Sequence, residues 1–108
     1  MSEPANNRST FARRLAQARL RRGLTQAQLG LLAGMEPEVA SPRINQYERG
    51  IHEPRSGTAQ KLADVLGIPA AFLYTEDDLL ASVLLRWNSL TKQQKKELVR
   101  VLEAMPGK

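Results

Sequence analysis

Apolar residues recur along this chain at helical intervals, in short stripes that glycines close. Phe11, Leu15 and Ala18 fall at i, i+4 and i+7 with arginines on the other faces, which predicts a helix from Ser9 to a stop at Gly23. Glycine suits such an end because it enters left-handed backbone angles without a Cβ clash. Thr25 and Gln28 form the capping-box pattern that opens a second helix, with Leu29, Leu32 and Ala33 as its stripe and Gly34 as its stop. Residues 35–41 (MEPEVAS) read as a loop or one loose turn. Ser41-Pro42 then signals a third helix over about 42–49, since serine caps exposed amides and proline in the first position gives up no hydrogen bond. Ile44 and Tyr47 turn inward there, and Gly50 ends it.

Beyond the extended His52-Glu53-Pro54, Ala59, Leu62, Ala63 and Leu66 predict a fourth helix near 57–66. Gly67 closes it, and Pro69 begins a short fifth helix carrying Phe72 and Leu73. Thr75, Glu76, Asp77 and Asp78 cap the next helix, placing three acids at its positive end, and Leu79, Leu80, Val83, Leu84 and Trp87 form its stripe. Thr91 with Gln94 opens the last helix, lined by Leu98, Val101, Leu102 and Met105. No strand-like alternation occurs, so the expected fold class is all-α. The polar residues 1–8 read as a flexible tail, 9–74 as one domain and 75–108 as a C-terminal helical segment.

Composition narrows the chemistry. A chain of 108 residues, 42% hydrophobic and 25% charged, has the balance of one small globular domain. It has no cysteine and a single histidine, His52, which leaves no thiolate cluster or nucleophile and disfavours zinc and histidine catalysis. No enzyme activity, cofactor, metal or small-molecule ligand is therefore expected. The longest apolar stretch, Leu79 to Leu85, is broken by Ser82 and too short for a bilayer. No secretory signal opens the sequence, so a cytoplasmic protein without a membrane partner is expected.

The net charge of +5 is unevenly spread: +4 over residues 1–60, −2 over 61–90 and +3 over 91–108. Arg8, Arg13, Arg14, Arg19, Arg21 and Arg22 all come before the first acid that follows Glu3. Such a block attracts polyanions by Coulomb attraction and counterion release; charge alone also fits a solvated helix face.

The run Leu24-Thr25-Gln26-Ala27-Gln28-Leu29, then Ala33-Gly34, then Ile44-Asn45-Gln46-Tyr47-Glu48-Arg49-Gly50 and Pro54 resembles the phage-repressor and Cro type (XRE-type) helix-turn-helix family. The resemblance covers about residues 9–74. It implies a five-helix, lambda-repressor-like domain whose third helix enters the major groove of double-stranded DNA. The residues themselves support that role. Ala27, Gly30 and Ala33 let two helices cross closely. Ser41, Pro42, Asn45, Gln46 and Arg49 lie off the Ile44 and Tyr47 stripe and are candidates for base contacts. Asn and Gln amides offer the paired donor and acceptor that suit adenine, and Pro42 or Ala40 suits a thymine methyl. Thr25 and Gln26, at the start of the second helix, match the family's phosphate grip, where the helix dipole also favours an anion. Arg43, His52 and Arg55 flank the recognition helix as phosphate contacts, although an exposed loop histidine needs no such role. Arg19 and Glu48 match a pair that the family uses as an internal salt bridge.

Two departures from the family stand out. The turn between helices two and three is about four residues longer than usual, bringing Glu36 and Glu38 towards the DNA, and Gly30 stands where alanine is usual. The C-terminal stripe, with Leu80, Val83, Leu84, Trp87, Leu98 and Leu102, is read as a dimerisation hairpin; an internal cover for the core is the alternative. The expected function is a sequence-specific transcriptional regulator, a repressor that binds a palindromic operator as a homodimer. The competing reading is a protein-interaction adaptor, or an antitoxin-like protein, on the same scaffold.

Overall fold

In the computed structural model, which describes residues 9–107, helix α1 (Thr10–Arg21) starts where the Ser9 hydroxyl oxygen accepts the Ala12 amide hydrogen. Helix α2 (Gln26–Leu32) opens with both halves of the Thr25/Gln28 capping box in place. After it come α3 (Pro37–Glu48), α4 (Ser56–Leu66), a 3₁₀ helix (Ala70–Tyr74), α5 (Asp78–Trp87) and α6 (Lys92–Ala104). No strand occurs among the described residues. The expected tail at 1–8 lies outside them.

α3 corrects the sequence reading. It begins at Pro37 rather than near Pro42, so residues 37–41 are helical and the connection from α2 is only residues 33–36. The apparent insertion lengthens the recognition helix instead of the turn. Ser41 is therefore no N-cap; Glu36 holds that position without a side-chain cap bond. Pro37 takes the role expected of Pro42, supplying a preset φ at a position with no hydrogen bond to lose. Glu38 in the first turn is favoured by the helix dipole. Pro42 is left inside the helix, where it cannot donate to the carbonyl of Glu38.

Packing explains why the earlier start wins. Ala40 is fully buried against Gly30, where α2 and α3 cross. Around this crossing the core gathers Phe11 and Leu15 of α1, Leu29 of α2, Ile44 of α3, Leu62 and Leu66 of α4, and Phe72 and Leu73 of the 3₁₀ helix. Each large side chain so buried contributes about 1.5–3 kcal/mol.

The C-terminal helices are joined to this core unequally. α5 buries Ala81 and rests Leu84 and Leu85 partly on the core, whereas α6 buries none of its residues. The inward face of α5 therefore differs from the expected stripe. Leu79 and Leu80 are 82% and 50% exposed, while Leu84 rests partly on the core.

Candidate nucleic-acid interface

The two sides of α3 are chemically distinct. Ala40, Ile44, Tyr47 and Glu48 are buried. On a 100° helical step, Glu38, Val39, Pro42, Arg43, Asn45, Gln46 and Arg49 fall on the remaining arc. Pro42, Arg43 and Arg49 are exposed, and Asn45 and Gln46 are half-buried. Ser41 is also half-buried, about one turn before Ile44. Ala40 has no exposed surface for a thymine methyl, which corrects that assignment. Val39, exposed on the added turn, is the apolar group that the sequence reading missed there. Its signal was present, but it sat in a stretch read as loop.

A polar network holds α3 against α1 and α2. The Arg19 guanidinium donates to both carboxylate oxygens of Glu48, at 2.6 and 3.0 Å, and to the Leu24 carbonyl at 2.9 Å. This two-pronged geometry suits the planar arginine fork. The Gln26 side-chain nitrogen donates to Asn45 Oδ1 at 3.2 Å and to Glu48 Oε1 at 3.1 Å. In the free chain the Gln26 amide thus bridges α2 to two residues of α3. The bond to Oδ1 ties the Asn45 side chain to the start of α2. Thr25 is exposed, and its hydroxyl oxygen accepts the Gln28 amide hydrogen at 3.0 Å.

The phosphate candidates converge more closely. Arg43, His52 and Arg55 line one open cleft of about 420 Å³ together with Gln46, Tyr47, Glu53, Pro54 and Thr58. This places three basic side chains beside the α3 face that carries Gln46. Glu53 is the dissenting charge in the cleft. Together with burial, the larger cause, it pushes the Tyr74 phenol above its usual value.

Among the described residues, no group of histidine and acidic side chains is arranged to hold a metal ion. No helix among them is long and apolar enough to cross a membrane.

Comparison with known proteins agrees with this geometry. The helix-turn-helix family matches residues 15–73, which span α1 to the 3₁₀ helix. The crystal structure of transcriptional regulator BswR is similar to the chain, with 48% identity and a TM-score of 0.81, over 87% of this chain and 93% of that one. The similarity therefore reaches past the matched family segment into the C-terminal helices. No curated protein matches the chain.

Proposed function

Because the chain belongs to the XRE-type helix-turn-helix family and is thereby a DNA-binding transcriptional regulator, we propose that it is a repressor that binds a palindromic operator as a homodimer. The observation that carries this reading is the division of α3, with Ile44 and Tyr47 held in the core and Asn45, Gln46 and Arg49 on the opposite arc. Asn45, Gln46 and Arg49 read base edges, with Pro42 and Val39 against thymine methyl groups. Arg43, His52 and Arg55 grip the backbone, which sets register and affinity rather than sequence. Repression follows from occupying the duplex.

Residues 9–74 form the DNA-binding unit in this reading, and the helices after residue 75 dimerise. Support comes from the apolar surface that one copy leaves uncovered. Val83, Leu90, Leu98 and Val101 line an open cleft of about 500 Å³ between α5 and α6. Leu80 and Leu102 lie exposed on the same two helices, and Trp87 is half-buried under the Lys95 ammonium, 5.2 Å from the ring centre. A second copy removes this surface from water at about 25 cal/mol per Å².

Selection from a random duplex pool, followed by sedimentation of the purified chain, tests the proposal. Inverted half-sites about one helical turn apart, bound by a dimer, are the expected result. A monomer that enriches no duplex rejects it and favours the adaptor reading, in which a different protein occupies the α5–α6 cleft.

A further inference from the structure

Arg14 belongs to α1, yet its guanidinium is spent on a distant part of the chain. Its side chain is only 4% exposed. Nε donates to the Thr75 carbonyl at 2.8 Å, and one terminal nitrogen donates to the Glu76 carbonyl and to Asp78 Oδ1, both at 2.9 Å. The other terminal nitrogen donates to Gln17 Oε1 at 3.0 Å, and the group lies over the Phe72 ring, 5.5 Å from its centre. Thr10, one turn earlier on α1, adds a bond from its hydroxyl to Glu76 at 3.4 Å. None of these partners belongs to the DNA-contact set.

The gripped residues are the connection between the 3₁₀ helix and α5. Apolar contacts from Ala81, Leu84 and Leu85 also hold α5 to the core, but such contacts are non-directional. A planar fork with fixed donors constrains angle as well as distance. Two main-chain carbonyls and one carboxylate around a single guanidinium set the direction in which α5 leaves the DNA-binding unit.

We propose that Arg14 is a positioning residue that fixes the spacing of the two half-sites read by the dimer. The inference rests on the dimer reading above. In a dimer joined through α5 and α6, the direction of α5 determines where each α3 points. One added base pair turns a half-site by roughly 35° about the duplex axis, because a turn takes about 10 bp. A stiff connection therefore accepts one separation and rejects its neighbours.

The test uses the full chain and duplexes carrying two inverted copies of the selected half-site, their separation stepped one base pair at a time. Sedimentation of the wild type comes first, and a monomer there overturns the dimer reading itself. With a dimer in hand, the wild type is expected to favour one separation by at least about tenfold, the avidity lost when geometry forbids joint engagement. Arg14→Lys keeps the charge and gives up the fork. It is expected to flatten that preference while leaving affinity for a single half-site and the dimer unchanged. Asp78→Ala removes one arm at a side chain that is 90% exposed, so it preserves the fold and is expected to flatten the profile in part. Wild-type spacing profiles in both variants overturn the proposal. So does an equal loss on single and paired half-sites, which marks Arg14 as merely structural. If Arg14→Lys does not fold, an unchanged profile in Asp78→Ala is enough to overturn it.

Discussion

A methyl group built on Gly30 of α2 lies 2.6 Å from the Cβ of Ala40 on α3, and 2.8 Å from the main chain of that residue. The obstacle is backbone and a stub of side chain, so neither can swing aside. Gly30→Ala gains up to about 1 kcal/mol of helix propensity but overpacks a tight crossing, at about 1–3 kcal/mol. We expect a lower thermal midpoint, by roughly 4–8 °C for each net kcal/mol lost. Adding Ala40→Gly to that variant is expected to rescue only part of the loss, since the clash with the backbone of α3 remains. A melt at or above the wild-type temperature contradicts this account of the crossing.

Pro42 sits inside α3 and is exposed. Proline in a helix interior is about 3 kcal/mol worse than alanine, while its stiffening of the unfolded chain returns about 0.4–1 kcal/mol. Pro42→Ala is therefore expected to raise the urea midpoint without changing the m-value. No gain means that residues 37–41 are not helical in solution.

Glu48 accepts from Arg19 and Gln26 with its side chain 6% exposed, and Arg19 is 13% exposed. Glu48→Ala strands a largely buried guanidinium, and breaking such a pair costs about 3–5 kcal/mol. Stability and DNA affinity are expected to fall together, because the same carboxylate holds α3 in place. Replacing both partners by apolar residues of similar volume is expected to recover much of the stability. Denaturant titration of the two single variants and the double variant measures this.

Gln26→Leu separates orientation from contact. The substitution removes the bonds to Asn45 Oδ1 and Glu48 Oε1 while the Arg19 fork still holds Glu48. Discrimination at the base facing Asn45 is expected to weaken, while affinity for non-specific duplex stays near wild type. An even loss across all sequences points instead to a direct backbone grip by Gln26.

Gln46→Ala and Arg55→Ala are expected to differ in kind. The first relaxes specificity at one base pair, at about 1–3 kcal/mol. The second lowers affinity evenly and reduces the slope of log K against log salt by about 0.9. Binding titrations over a salt series distinguish them, and identical slopes in wild type and Arg55→Ala remove Arg55 from the backbone contacts.

What this sequence determined by itself is local. Ser9, Thr25 and Thr91 cap their helices with their own hydroxyls, and Gly67 ends α4 at a φ of +70°. These outcomes need only a neighbour within one turn, so spacing reveals them. The stripe of Ile44 and Tyr47 likewise fixes which arc of α3 faces outward. The start of that helix was undecidable locally, because Glu36-Pro37 and Ser41-Pro42 are both openings for a helix. Tertiary packing chose the earlier one by seating Ala40 on Gly30, at the cost of a proline inside the helix. Arg14 shows the same limit: in sequence it is one arginine of a basic block, and the Thr75, Glu76 and Asp78 acceptors it grips lie more than sixty residues away. Long-range partners of this kind exist only once the chain has closed on itself, so only the folded structure could distinguish the arginine that braces α5 from those left to meet a polyanion.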